Sequence, residues 1–384
     1  MVTQRTVLFA CVTAATVLLA GCAAVGPDFE KPAADVPESW TQPEDEAISS
    51  SPYELVEWWK VFNDPVLDEL VETARVSNNT LAIAGIRVLE AQAQLGVATG
   101  LQYPQVQVAS GAATYVSPPN TAQVTSNHWQ FALGASASWE IDFWGRFRRG
   151  IESADAAFLA SVAAYDQAQV LMTAALVDLY TVIRVTEEQL EISYQNVDIQ
   201  QRSYEIAEVL FNNGADSELD MQQARTLLLS TEATIPGLEI ALTQSRNALS
   251  TLLGKPPGFV EKILSKGSKI PSMPSNIAVG IPADMLRRRP DVRQSEYQAM
   301  AQNALVGLAK ADLYPSFSLT GSIGVGSSTL GDSDFGDLFS SDALTWSIGP
   351  SFVWPFLNYG RIKNNVRVQD ARLQQALINY REVV

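Results

Sequence analysis

Few side chains in this 384-residue sequence belong to the types that carry out catalytic chemistry. His128 is the one histidine, and no serine and acid accompany it in the pattern that a hydrolytic triad needs. Glu140 and Asp142 are paired carboxylates on one strand face, but an acid–base pair that cleaves sugars needs a cleft around it. One histidine and two cysteines also exclude a metal site rich in these ligands. We therefore predict no enzyme activity, no catalytic residue, no metal site and no cofactor.

The charge of the chain excludes nucleic acid as a partner. Lysine and arginine total 26 and aspartate and glutamate total 42, so the formal net charge is 26 − 42 = −16. A protein that binds nucleic acid electrostatically needs a basic surface that releases counterions from the phosphates. Hydrophobic residues make up 47% of the chain, which is too many for a disordered protein.

The sequence before Cys22 predicts a specific chemical modification of this cysteine. Residues 7–20 form an uncharged, mostly apolar run that is too short for a membrane span and fits the core of a secretory signal. The run ends in Leu19-Ala20-Gly21-Cys22, which resembles a bacterial lipobox, where the cysteine receives acyl chains such as palmitate and becomes the new N-terminus. In such lipoproteins a residue other than aspartate after the cysteine, here Ala23, implies the outer membrane. The alternative is an ordinary cleaved signal with a chance cysteine.

The sequence contains two copies of one structural unit. The segment Trp139–Arg146 is similar to Trp354–Arg361 (354 − 139 = 215), and Tyr103-Pro104 is similar to Tyr314-Pro315 (314 − 103 = 211). Each copy reads as a helix, two strands and a long helix, and the first helix is predicted from Val66 to about Gly100. The predicted boundaries are 1–21 for the signal peptide, 22–64 for the lipidated N-terminal segment, 65–274 for the first repeat with its linker, and 275–384 for an incomplete second repeat.

Four segments alternate between apolar and small polar residues, which is the pattern of a strand with two different faces. In the second segment Phe131, Leu133 and Trp139 share one face, and Ser136 and Ser138 share the other. Long alternating strands with aromatic residues near their ends are typical of a transmembrane β-barrel. The alternative is a soluble antiparallel sandwich that buries one face. The predicted strands are about 104–116, 128–143, 315–327 and 343–358.

Four strands are too few to close a barrel. An open sheet edge in hydrocarbon leaves backbone groups without hydrogen bonds, at a cost of several kcal/mol each. Bacterial barrels have roughly eight strands or more. If the strands span a membrane, several copies of the chain must therefore contribute to one barrel.

A long helical hairpin follows the second strand. Residues 146–211 contain no proline, and their apolar residues follow coiled-coil spacing with one stutter. A helix of about 65 residues is on the order of 100 Å long, which no globular core requires. Gly214 ends this helix, and Ser217 is a suitable N-cap for a return helix that Pro236 should kink. The hairpin is predicted over about 146–254.

Four motifs together resemble the TolC-like outer-membrane efflux channel family, in its lipoprotein branch that serves proton-driven multidrug pumps. The motifs are Cys22–Phe29, Trp58-Trp59 with Asp64-Pro65, Phe211–Asp220 and Ile281–Val292. The resemblance covers the whole chain and implies an α+β membrane protein that forms a homotrimer. Each protomer would give four strands to one twelve-stranded β-barrel, which a hollow α-helical barrel continues through the periplasm.

The same resemblance implies an outer-membrane exit duct that passively conducts drugs or other small molecules. Its implied partners are two further copies of the chain, a periplasmic adaptor protein, an inner-membrane proton-driven pump and outer-membrane lipid. Two alternatives stay open at this point. One is a duct of the same architecture for secreted proteins, and the other is a non-transporting periplasmic lipoprotein with a coiled-coil stalk.

The resemblance also places functional residues at the tip of the helical hairpin. Asp220 would link neighbouring hairpins in the closed state as a gate, although a first-turn acid that favours the helix dipole is the simpler interpretation. The implied adaptor contacts are Phe211, Gly214, Ser217 and Leu219. Separately, aromatic residues near the strand ends are predicted to lie at the membrane interface. They are Trp139, Trp144, Trp346, Trp354 and Tyr359.

Two features depart from the family pattern. Leu210 occupies a tip position that is usually basic, so contacts there that need arginine are in doubt. Val384 corresponds to Gln169 of the first repeat (384 − 215 = 169), and the equivalent of about 170–254 does not follow. We expect that this chain is truncated at its C-terminus.

Overall fold

The computed structural model describes residues 24–32, 48–49, 55–119, 126–267, 269–272, 277–278, 282–331 and 334–384. The predicted signal peptide 1–21 and the predicted lipidation site Cys22 lie outside these residues. Both therefore stay predictions.

The described helices and strands follow the repeated order that the sequence indicates. The strands are β1 (Val106–Val116), β2 (His128–Ile141), β3 (Ser316–Ser328) and β4 (Leu344–Val353). The helices are α1 (Pro65–Ser77), α2 (Asn79–Gly100), α3 (Arg146–Asn212), α4 (Glu218–Glu232), α5 (Ile235–Leu252), α6 (Glu261–Leu264), α7 (Pro282–Arg288), α8 (Pro290–Ala311) and α9 (Arg361–Val383). Short 3-10 turns span Leu55–Phe62, Gly336–Phe339 and Ser341–Ala343, and Ile48–Ser49 pairs in parallel with Ile277–Ala278.

The chain divides into two compact units. One unit contains all four main strands and comprises residues 88–162 and 292–384 together with the described part of 1–34. The other comprises residues 163–291 and the described part of 35–87, and contains α1 and α4 to α7. Helices α2 and α3 each contribute residues to both units.

The four strands form one antiparallel sheet in the order β1-β2-β3-β4. The register places Trp139 opposite Leu319 and Leu319 opposite Pro350, so these three lie in one row on one face. Ser136, Ser322 and Ser347 form a row on the other face. The apolar sides of β2, β3 and β4 therefore coincide, as the alternation predicts. Strand β1 is less regular, since Val106 and Val108 align with the serines of β2.

The apolar face of the sheet is open to solvent in the single chain. Trp346 is 71% exposed and Ile348 is 67% exposed, although both side chains are large and apolar. A soluble sandwich would bury this face, so that alternative is wrong. An exposed apolar surface of this extent marks a membrane or a protein partner.

The predicted first helix is divided in two, which corrects the expectation of one helix from Val66 to about Gly100. Asn78 adopts an extended conformation between α1 and α2. Its side-chain oxygen accepts a hydrogen bond from the Leu81 amide at 2.7 Å, and its amide nitrogen donates to the Leu252 carbonyl at 2.7 Å. An asparagine that caps a helix in this way competes with a continuous helix.

The long helical hairpin is present. Helix α3 runs unbroken for 67 residues, and the return arm is divided into α4 and α5 near Pro236, where the kink was predicted. Proline fits the first turn of α5 because it has no amide hydrogen to leave unpaired there. Leu176 of α3 and Leu249 of α5 are fully buried in the core of the second unit.

Two described helices, α2 and α3, are long and apolar enough to cross a membrane by length and composition alone. Buried core helices of soluble proteins pass the same test. Most of the apolar stretch of α2 is exposed in the single chain.

Candidate functional site

The small-polar face of the sheet is suited to line a water-filled passage. Its side chains are short, and many carry hydroxyl groups that bond across the strands. Ser322 and Ser347 share a hydroxyl hydrogen bond of 2.8 Å, and Thr320 donates to the Gly349 carbonyl at 3.3 Å. Hydroxyls with partners in the sheet keep lone pairs for water, so this face can be wet while the opposite face contacts lipid.

The outer edges of the sheet are β1 and β4. Each pairs with one strand only among the described residues. The backbone amides and carbonyls on the outer sides of these strands therefore lack a ladder partner within the described part of the chain. Pro350 lies in β4, an edge strand, which is where a sheet tolerates proline.

The charged residues at the end of β2 form ion pairs. Arg146 lies 3.4 Å from Glu140 and 3.3 Å from Asp312. Asp142 accepts hydrogen bonds from two backbone amides at the start of α3 and pairs with Arg148 at 3.3 Å. These pairings with arginine offset the negative charge of Glu140 and Asp142.

The segment just after the predicted lipidation site is bound along the sheet-containing unit. The Val25 amide donates to the Trp144 carbonyl at 2.9 Å. Arg149, which is buried, donates to the Gly26 carbonyl at 3.2 Å and to Asp28 at 2.8 Å. Gly26 has φ +105, and a Cβ there would lie 2.5 Å from the Gly307 Cα, so only glycine fits this crossing. Residues 25–28 are thereby held beside the end of β2.

The hairpin tip brings the five predicted tip residues into one turn and its flanking helix ends. Gly214 has φ +70, and its amide donates to the Phe211 carbonyl at 2.9 Å, which closes the end of α3. Ser217 is the N-cap of α4, as predicted, because its hydroxyl accepts from the Asp220 amide at 3.3 Å. Leu219 is 64% exposed although its side chain is apolar.

Asp220 is satisfied within its own hairpin. Its carboxylate accepts a hydrogen bond from the Ser217 hydroxyl, and this bond lowers the pKa of the Asp220 carboxyl below its ordinary value. The carboxylate is therefore ionised at neutral pH, at the first turn of α4, where the helix dipole favours negative charge. These contacts agree with the simpler interpretation. A gate link to a neighbouring hairpin stays a proposal.

A buried polar cluster lies in the second unit, where α3 passes the start of α1. Tyr180 is 1% exposed and donates its hydroxyl to Asp64 at 2.6 Å, and Asp64 caps α1. Arg184 is 2% exposed and lies over the Tyr180 ring, 5.0 Å from its centre. It donates to Glu187 at 2.7 Å and to the Leu264 carbonyl at 2.8 Å. The cluster connects α1, α3 and α6.

The Tyr180 hydroxyl gives this cluster a pH dependence at the alkaline side. Burial, together with the hydrogen bond to Asp64, raises the pKa of Tyr180 to about 12. The unfolded value is about 10, so the stability from this group is complete below about pH 10 and is lost as the pH rises through about 12. We expect the melting temperature of the wild type to fall more steeply than that of Tyr180→Phe between these values. Thermal unfolding followed by circular dichroism in detergent measures it, and parallel curves would contradict it.

The predicted membrane-interface aromatics occupy three kinds of environment. Trp346 and Tyr359 are highly exposed. Trp139 and Trp354 are partly exposed, and each donates its indole N–H to a backbone carbonyl. Trp144 is half-buried and stacks inside the chain, so it is less available to lipid than predicted. Contact of these residues with a membrane stays a prediction.

Sequence reasoning missed Tyr180, Arg184 and Arg149 as organising residues. Their nearer partners are on the same helix, where Arg184 contacts Glu187 and the Tyr180 ring, and Arg149 contacts Glu152. Each also has a partner at least 80 positions away in the chain. Short motifs give no signal for such contacts. His128 is buried and is the first residue of β2, and its ring forms hydrogen bonds with the Ser126 carbonyl and the Gln130 side chain. Within the described ranges, no group of three or more His, Cys, Asp or Glu residues is placed to hold a metal ion.

The sequence profile described as "Outer membrane efflux protein" matches residues 70–255 and 281–384. The chain is also similar to "Nodulation protein T" of Rhizobium leguminosarum bv. trifolii, with 31% identity over 366 residues that cover 95% of this chain and 76% of that protein. It is 30% identical over 370 residues to "Probable outer membrane lipoprotein SilC" of Salmonella typhimurium, covering 96% of this chain and 78% of that protein.

Solved structures show the same architecture. The outer-membrane channel OprN aligns with a TM-score of 0.86 at 31% identity, covering 94% of this chain and 79% of that chain. CusC, which forms a transmembrane channel, aligns with a TM-score of 0.78 at 28% identity. The alignment covers 94% of this chain and 79% of that chain.

Proposed function

Because the chain belongs to the outer membrane efflux protein family, we propose that three copies of it close one twelve-stranded barrel, with four strands from each copy. The chain is a duct component of a tripartite efflux system and lies in the outer membrane. One observation supports the closed barrel most directly. The apolar sides of β2, β3 and β4 lie on one exposed face of a sheet whose two edge strands have no further strand partner among the described residues.

Closure follows from the backbone of the two edge strands. An unpaired amide or carbonyl costs several kcal/mol in hydrocarbon, so a sheet with open edges cannot span the bilayer alone. Strands β2 and β4 run in one direction and β1 and β3 in the other. Strand β4 of one copy is therefore antiparallel to β1 of the next copy, and the pattern of the sheet continues around a ring without a break.

The N-terminal segment indicates which end of the sheet faces the periplasm. Three peptide steps separate Val25 from Cys22, and a chain of that length spans at most about 10 Å. Val25 is bonded to the Trp144 carbonyl just after β2. Acyl chains on Cys22 would therefore insert near this end of the strands. A lipoprotein is anchored in the periplasmic leaflet, so the long helices that start here extend into the periplasm.

The mechanism of the duct is passive. An inner-membrane pump supplies the energy, an adaptor opens the helical tip, and small molecules diffuse through the water-filled interior. The hydroxyl-bearing face of the sheet lines that interior. At the tip, the exposed Leu219 and the turn at Gly214 provide the adaptor contact, together with Phe211 and Ser217. Asp220 is the gate candidate because its charge is exposed at the same turn.

Deletion of the gene tests this function directly. In a strain without a redundant duct, we expect several-fold higher accumulation of a pump substrate and a matching loss of drug resistance. Expression of the full chain from a plasmid should restore efflux, while overproduction of the pump alone should not. Unchanged efflux of every compound tested in the deletion strain would show that the chain is not the exit duct.

A further inference from the structure

The two repeats make equivalent contacts within their own strand pairs. The Trp139 indole donates to the Gln102 carbonyl at 3.1 Å, and the Trp354 indole donates to the Leu313 carbonyl at 3.1 Å. These residues correspond through the repeat offsets, since 139 + 215 = 354 and 102 + 211 = 313. The sequence offsets therefore predict three-dimensional contacts and can be used to find others.

A specific aromatic contact connects the two repeats inside the chain. The Trp144 ring, just after β2, stacks on Tyr314 with the ring centres 4.5 Å apart and an angle of 24° between the planes. The Trp144 indole also donates to the Pro315 carbonyl at 2.8 Å, just before β3. Beside this contact, Arg149 of α3 packs closely over Gly307 of α8. We call the stacked pair of Trp144 and Tyr314 the aromatic joint. It lies where one strand pair meets the next.

Among the described residues, the equivalent positions at the two outer edges of the sheet have no such partner. The equivalent of Trp144 is Tyr359 (144 + 215), which follows β4 and is 97% exposed. The equivalent of Tyr314 is Tyr103 (314 − 211), which precedes β1 and is 66% exposed. Gly96 (307 − 211) has nothing from the described residues within 4 Å of the position of a Cβ. Each edge therefore carries one half of an aromatic joint.

Tyr359 also has an unusual backbone for an exposed residue. Its φ is +50, in the left-handed region that residues other than glycine rarely adopt. Such a conformation persists where surrounding contacts hold it. A side chain that is almost fully exposed receives few of those contacts from its own chain.

We infer that Tyr359 of one copy stacks on Tyr103 of the next copy, so that the aromatic joint inside the chain is repeated between chains. This inference rests on the proposed trimer and names the residues that connect its subunits. The occupant of the exposed site at each edge is a second copy, because the chain already places the equivalent pair in contact at its internal junction. Helix α9 of one copy then lies on α2 of the next, which covers the exposed apolar residues Ile86, Leu89 and Val97 of α2.

A cysteine pair tests the contact. In the full chain, Tyr103→Cys combined with Tyr359→Cys should crosslink with a short-spacer bismaleimide to dimers and trimers on a denaturing gel. Trp144→Cys combined with Tyr314→Cys is the matched control, because it joins positions within one chain and should leave the monomer mass unchanged. Each single cysteine variant should give no ladder. Native mass spectrometry of wild type and variants reports the oligomeric state separately.

The outcomes separate the inference from the proposed function. If the variants are trimers in native mass spectrometry but the edge pair gives no ladder, the joint is wrong and the trimer stands. If the wild type itself is not a trimer, both are wrong. If the cysteine variants fail to fold, two single substitutions of Tyr359 test the same contact. Tyr359→Ala should raise the rate of trimer dissociation in detergent about tenfold. Tyr359→Trp, which places the equivalent of Trp144 at this position, should leave that rate unchanged. Equal dissociation of the two variants would overturn the inference.

Discussion

Replacing Ile348 with arginine is expected to abolish assembly in the outer membrane, whereas replacing the adjacent Ser347 with arginine leaves assembly intact. Ile348 lies near the middle of β4, on the apolar face, and is 67% exposed in the single chain. An arginine on the lipid face near the bilayer midplane costs about 2–4 kcal/mol. A trimer pays this cost once per subunit, so the combined penalty is comparable to the stability of a folded domain.

Ser347 is the matched control because it has the same strand, depth and substitution but the opposite face. It is paired with Ser322 across the sheet, on the side proposed to meet water. Ser347→Arg adds charge to the interior and should alter conduction without preventing insertion. The measurement is the amount of trimer in purified outer membranes, followed by a drug accumulation assay. Loss of assembly with Ser347→Arg alone would reverse the assignment of the two faces. Equal assembly of both variants would contradict that assignment.

Arg184→Ala is expected to destabilise the helical unit by about 3–5 kcal/mol, the range for removing one partner of a buried ion pair. Arg184 is 2% exposed and is the residue that joins Glu187, the Tyr180 ring and the Leu264 carbonyl. Its removal takes one of two donors from the Leu264 carbonyl, which also accepts from the Gly267 amide at 3.3 Å, and opens a cavity beside Tyr180. We therefore expect a lower melting temperature of the purified protein in detergent and faster proteolysis near α6.

Arg246→Ala provides the comparison for this prediction. Arg246 lies 2.9 Å from the same Glu187, but its side chain is 33% exposed. A partly exposed ion pair contributes about 0–1 kcal/mol, so the melting temperature should change little. Arg184→Lys should be intermediate, because an ammonium group lacks the planar fork that reaches two acceptors. Similar losses for Arg184→Ala and Arg246→Ala would mean that the cluster does not depend on burial.

The local features of this protein were readable from its sequence because they depend on neighbours a few positions apart. Alternation with a period of two residues predicts the strands, and a stretch without proline predicts the 67-residue α3. Ser217 and Pro236 mark the start of α4 and the break before α5 for the same reason. The internal repeat added a longer-range prediction, since two copies of one unit must fold alike.

Other features depended on residues far apart in the chain, and only the tertiary structure decided them. Asn78 divides the first helix because Leu252 supplies an acceptor for its side chain. Arg149 holds Asp28 across 121 positions, and Tyr180 reaches Asp64 across 116. The meeting of β2 with β3 placed Trp144 on Tyr314 and left Tyr103 and Tyr359 exposed at the edges. Such contacts form only when the whole fold brings distant segments together, so no local pattern specifies them.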